Sequence, residues 1–252
     1  MPLPGPHIII GLGNPGAEYR ATRHNAGFDV IDALAAELGV NYWKIASNAA
    51  VGEARLKGEK IILIKPQTYM NLSGGSVKGL AGRYGFDAGD MLVIHDELDL
   101  PAGTIRLKLG GGHAGHRGLR SLHQAMGADY ARVRIGIGRP PGRMPADAFV
   151  LRKMKGQELE EFAVTIAQAV PVVRMAIVEG IRAAMNVYNQ SEKESVREER
   201  AYEKGAVRPD RRGAIPVAQH GVTPVVEGRE TILAAETAET ETQQVKQDGG
   251  YQ

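Results

Sequence analysis

Cysteine is absent from the 252-residue sequence. Its absence excludes disulfide bonds, thiol nucleophiles and cysteine-ligated zinc sites, and it predicts a cytoplasmic protein. Uninterrupted apolar runs of the roughly 18 residues that span a membrane are also missing, so we expect no transmembrane helix and no membrane partner. The N-terminal segment MPLPGPHIII has no basic region before its apolar residues, and we expect no signal peptide there.

Aromatic side chains are scarce, at 5% of the chain, with a single tryptophan. We expect that residue, Trp43, to anchor the core rather than to stack on a nucleic-acid base. The G-x-S-x-G pattern of the α/β-hydrolase nucleophile is also missing. Without that serine or a thiol, the natural nucleophile for any hydrolysis is a water molecule activated by a general base.

Charge is distributed unevenly along the chain. Residues 191–252 contain 9 Lys and Arg against 12 Asp and Glu, whereas residues 1–190 contain 22 against 17. The mildly basic body is compatible with a nucleic-acid partner. The C-terminal segment has few large apolar groups and cannot bury enough surface to offset the entropy of ordering it. We therefore predict one folded domain over 1–190 and a mostly disordered tail over 191–252.

Strand-like and helix-like segments alternate through the body. Apolar or alternating runs predict strands at 7–11, 60–65, 91–95, 104–109 and 132–137, and helical spacing predicts helices at 26–38, 73–84, 119–126 and 157–188. We expect Ser73 to cap the second helix and Pro171 to divide or kink the last one. The alternation predicts a single-domain α/β/α sandwich around a mixed, largely parallel sheet.

A G-x-G-x-x-G pattern, at Gly11, Gly13 and Gly16, follows the first predicted strand. In a dinucleotide site a helix begins at these glycines, so that its N-terminal N–H groups meet the pyrophosphate. Here the helical pattern starts only near Asn25, after a polar stretch. The context therefore favours a tight turn over a nucleotide site, but a turn alone does not explain Asn14.

Asn14, Asn71 and Asp96 lie near the carboxyl ends of predicted strands, where ligands bind in open α/β sheets, and His24 lies just before the first predicted helix. Together they offer a histidine with a carboxylate partner and two amides, which suits water activation and stabilisation of charge on a carbonyl oxygen. Spacing alone equally allows a capping histidine, a carboxylate in a turn and an Asx turn. Both interpretations stay open at this point.

A metal site is a further interpretation of the polar residues in the middle of the chain. The candidate ligands are His95, Asp96, Glu97, Asp99, His113 and His116. Their spacing matches no strong motif such as H-E-x-x-H, so we expect no metal and no other cofactor. The scattered lysines and arginines fit either a solvated surface or a track for phosphates, and same-sign neighbours on one strand face favour RNA.

Four long motifs then identify a family. IIIGLGNPGAEYRATRHNAGF, KPQTYMNLSGGSV, HDELDLPAGTIRLKLGGGHAGHRGLRS and RVRIGIGRP together resemble bacterial peptidyl-tRNA hydrolase, over roughly residues 7–189. The resemblance implies a monomeric, metal-independent enzyme that cleaves the ester between a peptide and the 3′ ribose of tRNA. Its substrate would be peptidyl-tRNA released prematurely from ribosomes, so that tRNA is recycled.

The resemblance also implies roles for individual residues. His24 matches the general base, Asp96 the acid that holds it in its basic form, and Asn71 the amide that binds the tRNA end and positions the reacting group. Asn14 matches the residue that distinguishes blocked peptidyl-tRNA from free aminoacyl-tRNA. The implied contacts with the peptide or the tRNA come from Tyr19, Tyr69, Met70, His116 and Arg117, with Lys108 and Arg134 as a clamp for the tRNA 5′ phosphate.

One position departs from the family pattern. Arg117 stands where an asparagine usually contacts the tRNA end or a catalytic water. Asparagine both donates and accepts hydrogen bonds, whereas arginine only donates and can hold a phosphate in a bidentate fork. Our hypothesis is that Arg117 keeps the contact with tRNA and loses any role in orienting water.

A non-catalytic RNA-binding module is the alternative, because plastid relatives of the family act in RNA splicing. Presence of the complete set, Asn14, His24, Asn71 and Asp96, argues against this alternative, since a pure binding protein has no need of a general base.

Overall fold

The computed structural model of the chain describes residues 4–189, which form one mixed β-sheet between two helical layers. The strands are β1 (Ile8–Gly11), β2 (Lys44–Ala46), β3 (Ala49–Leu56), β4 (Glu59–Pro66), β5 (Met91–Glu97), β6 (Ile105–Leu109) and β7 (Ala131–Gly136). The helices are α1 (Ala26–Glu37), α2 (Ser73–Tyr84), α3 (Arg117–Met126), α4 (Ala146–Leu151), α5 (Gln157–Val178) and α6 (Ile181–Tyr188).

The strand order across the sheet is β2-β3-β4-β1-β5-β7-β6. The four central strands, β4, β1, β5 and β7, are parallel to one another, and antiparallel pairs flank them on both sides. The predicted α/β sandwich around a mixed sheet is therefore confirmed. The parallel centre places the carboxyl ends of β1, β4 and β5 side by side, where ligands bind in such sheets.

Alternate side chains of the central strands enter two separate cores. Ile9, Leu63 and Ile94 belong to the cluster under α1, α5 and α6, whereas Ile10 and Val93 belong to the cluster under α2 and α3. This period of two follows from the strand pleat. It explains why these strands are nearly continuous hydrophobic runs, since both of their faces are buried.

Gly11, the first glycine of the motif, allows α1 to pack closely on β1. A Cβ at Gly11 would lie 2.2 Å from the carbonyl oxygen of Gly27, because α1 packs directly against β1. The chain after Gly16 forms a short 3-10 helix, and α1 begins only at Ala26. No α-helix begins at the glycines, as a pyrophosphate site would require.

Several predicted features need correction. The sequence patterns missed β2, β3 and α4, which are short or weakly periodic. Pro171 lies inside α5, and the division between α5 and α6 comes at Gly180, whose φ is 88°. Ser73 does not cap α2. Leu72 occupies that position, and the Ser73 hydroxyl donates to the Met70 carbonyl instead. The disordered tail predicted over 191–252 lies outside the described residues.

Helix α5 is apolar enough, with a mean hydropathy of 1.6 over its most apolar window, to span a membrane by length and composition alone. Core helices of soluble proteins meet the same criterion. Half of that window is buried inside the protein, and α5 packs against α1, α6 and β7. Its hydropathy is therefore explained by core packing.

The last described residue caps the sheet at its β6 edge. The Asn189 side chain accepts a hydrogen bond from the Leu107 amide at 3.0 Å and donates to the Leu107 carbonyl at 2.9 Å. It thereby satisfies both main-chain groups of one residue on the outermost strand.

The crossing of α2 and α3 can be tested at Gly74. A Cβ there would lie 2.1 Å from the carbonyl oxygen of Ser121, so Gly74→Ala should force the helices apart and lower the free energy of unfolding by about 1–3 kcal/mol. Gly82, in the same helix, has no atom within 4 Å of that position. Gly82→Ala should therefore raise the free energy of unfolding by about 0.5–1 kcal/mol. Urea unfolding measures both, and equal midpoints would contradict the close crossing.

Candidate active site

A pocket of about 310 Å³ opens at the carboxyl ends of the central strands. Nine of the eleven residues implicated from the sequence line it: Asn14, Tyr19, His24, Tyr69, Met70, Asn71, Asp96, His116 and Arg117. Lys108 and Arg134 do not line it. The pocket also includes residues from α4, which the sequence did not predict. The chain topology thus gathers side chains that are far apart in sequence.

His24 and Asp96 form a buried pair at the floor of this pocket. The Nδ1 atom of His24 lies 2.9 Å from Oδ1 and 3.1 Å from Oδ2 of Asp96. Since the carboxylate can only accept, Nδ1 carries the proton and Nε2 keeps the lone pair that a general base needs. Burial lowers the pKa of His24, but the charge and hydrogen bond of Asp96 outweigh it, so this pKa lies above its ordinary value.

His116 contacts the same carboxylate, and its ring centroid lies 4.9 Å from that of His24. Its Nε2 lies 3.1 Å from Oδ1 of Asp96, and its Nδ1 accepts from the amides of Gly118 and Leu119 as the N-cap of α3. The two amide donors fix the tautomer, so Nε2–H must be the group that points at Asp96. Both ring nitrogens are therefore engaged within the protein, while the His116 side chain still lines the pocket, where a contact with the substrate is predicted.

Two imidazole donors keep Asp96 ionised. Burial acts to raise the pKa of Asp96, but the His24 and His116 rings outweigh it and hold that pKa well below its usual range. Next to Asp96, His95 is fully buried and burial lowers its pKa to about 3. His95 is therefore neutral, and its ring packs edge-on against His116 with centroids 5.1 Å apart.

The same three side chains are the candidate metal ligands within the described residues. Donor atoms of His24, Asp96 and His116 lie within 4.8 Å of one another. A cation bound at the Nε2 atom of His116 would have to displace its proton, while Nδ1 already faces two amide donors. The arrangement therefore suits a hydrogen-bonded relay better than a metal centre.

Asn14 presents the NH₂ group of its side-chain amide to the pocket, because the oxygen of that amide, Oδ1, is already hydrogen-bonded. The Oδ1 atom accepts from the Met70 amide at 2.8 Å. Asn25 holds the Asn14 backbone on both sides, accepting from its amide at 2.8 Å and donating to its carbonyl at 3.0 Å. The two N–H bonds of Asn14 Nδ2 are thus the groups that remain for a ligand, and they suit a carbonyl oxygen.

The pocket has an apolar side formed by aromatic and aliphatic residues. Tyr19 and Tyr69 meet edge to face with ring centroids 6.5 Å apart, and Met70 is buried beneath them. Val150 of α4 adds to this wall. Asn71 lies at its border, is exposed, and makes no side-chain hydrogen bond within residues 4–189. A ligand with apolar side chains and one polar reacting group would match this surface.

The two predicted clamp residues lie on neighbouring strands outside the pocket. Lys108 is on β6 and pairs with Arg132 of β7. Arg134 lies two residues further along β7 and pairs with Arg106, so Lys108 and Arg134 are diagonal neighbours. Arg134 donates to Glu97 at 3.0 Å, and Lys108 makes no ion pair within the described part of the chain. Side chains of paired residues share a face, so the structure keeps Lys108 and Arg134 on the same side of the sheet.

Arg132 is buried beneath the glycine-rich loop and ties it to β7. Its guanidinium donates to the carbonyl of Gly112 at 2.8 Å and to that of Gly111, and it lies 3.0 Å from Nε2 of His123. Only 2% of Arg132 is exposed. The loop that leads into His116 is otherwise exposed, so Arg132 fixes the position from which His116 reaches Asp96.

Comparisons with known proteins agree on one family. A profile of the family described as peptidyl-tRNA hydrolase matches residues 8–196. Peptidyl-tRNA hydrolase of Rhodococcus erythropolis is 49% identical over 182 residues, which are 71% of this chain and 95% of that protein. The protein of the same name from Frankia casuarinae is 47% identical over 186 residues, which are 73% of this chain and 94% of the relative. The chain belongs to the peptidyl-tRNA hydrolase family.

Solved structures of the family support the same assignment. A crystal structure of peptidyl-tRNA hydrolase from Acinetobacter baumannii is 39% identical and matches with a TM-score of 0.68, covering 74% of this chain and 95% of that one. The match covers nearly the whole relative, so this peptidyl-tRNA hydrolase family member has the family's complete fold.

Sequence reasoning missed four supporting residues of this family member. Asn25 and Arg23 flank His24, and Arg23 stacks on Phe149 at 4.0 Å and donates to its carbonyl. Arg132 is one of the cations for which the sequence allows either a solvated surface or a phosphate track, and the structure buries it instead. Asn25 could have been inferred from its position beside His24. The burial of Arg132 and the placement of Asp147 depend on tertiary contacts and had no signal in the sequence.

Removal of the carboxylate tests the pair. In Asp96→Asn, kcat/KM should fall about 10²–10⁴-fold, because the asparagine no longer favours the Nδ1–H tautomer. The acid limb of the pH profile, set by protonation of His24, should move to lower pH, since Asp96 raises that pKa. Asp99→Asn is the matched control, because Asp99 is exposed and pairs with Arg139. An unmoved limb in Asp96→Asn would contradict the proposed coupling.

The hydrogen bonds from Arg132 to the carbonyls of Gly111 and Gly112 act as a tether on the loop, and Arg132→Lys tests it. Lysine keeps the charge but cannot donate to both loop carbonyls, so amide exchange over residues 110–116 should accelerate. The free energy of unfolding should fall by about 1–3 kcal/mol. Exposed Arg120 on α3 provides the control substitution Arg120→Lys, for which we expect neither change. Exchange measured by mass spectrometry would refute the tether if both variants behaved like the wild type.

Proposed function

We propose that this chain hydrolyses peptidyl-tRNA at the ester between the peptide and the 3′ ribose, with water activated by His24. The observation that carries the proposal is the hydrogen bond from His24 Nδ1 to Asp96, which leaves Nε2 free as a base. Family membership supports the substrate class. The proposed catalytic residues are His24, Asp96, Asn71 and Asn14.

The proposed reaction proceeds in two steps. His24 Nε2 takes a proton from water as the oxygen attacks the ester carbonyl carbon, and the charge that develops on the carbonyl oxygen is met by N–H donors of Asn14. The resulting imidazolium, stabilised by Asp96, then donates its proton to the departing 3′ oxygen of the ribose. The products are a peptide carboxylate and tRNA with a free 3′ hydroxyl, and the base is restored.

The two sides of the pocket support an assignment of the two parts of the substrate. The apolar wall with Tyr19, Tyr69 and Met70 suits the peptide, and the cations Arg117, Lys108 and Arg134 suit RNA phosphates. Asn71, at the border, suits the terminal nucleotide. His116 contributes through the hydrogen bond from its Nε2 to Asp96. We further propose that the enzyme acts as a cytoplasmic monomer, without a metal and without a membrane partner.

The alternative of a non-catalytic RNA-binding module is disfavoured by the geometry of the pair. Binding RNA needs no buried carboxylate that fixes a histidine tautomer, and burying one carries a cost unless it is paired. The complete constellation is therefore better explained by chemistry.

The deciding experiment compares an N-blocked aminoacyl-tRNA with the same tRNA bearing a free amine, with and without EDTA. We expect cleavage of the blocked substrate alone, insensitive to EDTA, and a loss of about 10²–10⁴-fold in His24→Ala. His7→Ala is the control, because His7 lies at the amino end of β1, away from the pocket.

Other outcomes of this experiment would be decisive too. Binding of both tRNAs without cleavage would favour the RNA-binding module. Loss of cleavage in EDTA, with recovery on adding a divalent metal, would contradict the metal-free mechanism.

A further inference from the structure

Two oppositely charged side chains bridge the mouth of the pocket. Arg117 is the first residue of α3 and Asp147 lies in the first turn of α4, and both line the pocket. Their side chains form an ion pair, although 56% of Arg117 and 67% of Asp147 are exposed. The pair therefore joins the two walls on either side of the opening.

Arg117 occupies a position that is unfavourable for a cation without a partner. The N-terminus of a helix carries a partial positive charge, so an arginine at the first position of α3 is repelled by the helix dipole. An anion must offset this repulsion, and Asp147 provides one within the protein. The exposed pair is weak, since pairs of this kind contribute only about 0–1 kcal/mol, so another anion can displace Asp147.

We infer that Asp147 is a positioning residue, which holds Arg117 in the free protein and releases it to a phosphate of the substrate's RNA strand. This inference rests on the proposed function. The reacting bond is an ester, so the substrate has no carboxylate at that point, and phosphates are its anions near the 3′ end. Arg117 meets Asp147 through one nitrogen, whereas a phosphate can offer the planar guanidinium two acceptors, so the exchange would strengthen the contact.

The exchange would also be felt at the general base. The negative charge of Asp147 raises the pKa of His24, whereas the positive charge of Arg117 lowers it, each more weakly than Asp96 acts. Removing one partner should therefore move the acid limb of kcat/KM in the direction set by the charge that remains. This readout separates an electrostatic role near His24 from a purely structural contact between α3 and α4.

The test is a double-mutant cycle read first by binding of deacylated tRNA, which requires no catalysis. Asp147→Asn frees Arg117 and should tighten binding by about 1.5- to 5-fold. Arg117→Asn should weaken binding and make the slope of log K against log salt less steep by about 0.7, the value for one phosphate on a single strand. In the double variant the benefit of Asp147→Asn should disappear, because no guanidinium is left to release.

Steady-state kinetics with peptidyl-tRNA complete the test. Asp147→Asn should lower KM with kcat nearly unchanged and shift the acid limb to lower pH, and Arg117→Asn should do the opposite on KM and pH. The matched control is the exposed pair Glu37 and Arg174 on α1 and α5, which does not line the pocket. Glu37→Gln and Arg174→Gln should leave tRNA affinity, KM and the pH profile unchanged.

The contrary outcomes are specific. Equal tightening by Asp147→Asn in the wild type and in Arg117→Asn would show a general charge effect and overturn the inference, as would an unchanged salt slope in Arg117→Asn. Either result is compatible with normal hydrolysis by the wild type. Failure of the wild type to cleave peptidyl-tRNA would instead refute the proposed function, while the binding cycle would still report on the exchange.

Discussion

The buried carboxylate of Asp96 is the constraint on which the rest of the site depends. A charge removed from water is tolerated only when its oxygens are hydrogen-bonded. Here the donors come from two distant segments, His24 before α1 and His116 at the start of α3. The end of β5, the entry to α1 and the cap of α3 must therefore be correctly placed together. The hydrogen bonds that stabilise the Asp96 carboxylate therefore also hold His24 and His116 in their places in the pocket.

The N-cap of α3, His116, also affects the ionisation of Asp96. The amides of Gly118 and Leu119 fix which nitrogen of His116 carries a proton, and that proton then helps to keep Asp96 ionised. Backbone donors at a helix start thereby influence a base they never touch. Arg132 contributes as well, because its hydrogen bonds hold the loop that precedes His116. The position of His24 is thus supported by main-chain hydrogen bonds as well as by side chains.

The central strands and most helices could be predicted from the sequence, because β1, β4 and β5 are nearly unbroken apolar runs and α1 and α2 show helical spacing. The short edge strand β2 and helix α4 lack such periodicity. Asn14, His24, Asn71 and Asp96 could be picked out because they lie at the ends of predicted strands or beside a predicted helix. The other five pocket residues followed only from the resemblance to the family. Asp147 could not be inferred, because its ion pair with Arg117 exists only once α4 packs against the segment that contains His24.

The cap at Leu107 has a consequence for how the molecule behaves among its own copies. Open main-chain groups on an outer strand invite pairing with a neighbour, and proteins avoid this with short or blocked edges. One outer strand, β2, has three residues, and the other has its central residue, Leu107, occupied by the Asn189 amide. The Asn189 side chain makes the two hydrogen bonds with Leu107 that one residue of an additional strand would make. Both outer strands are thus poor templates for pairing with a strand of another copy.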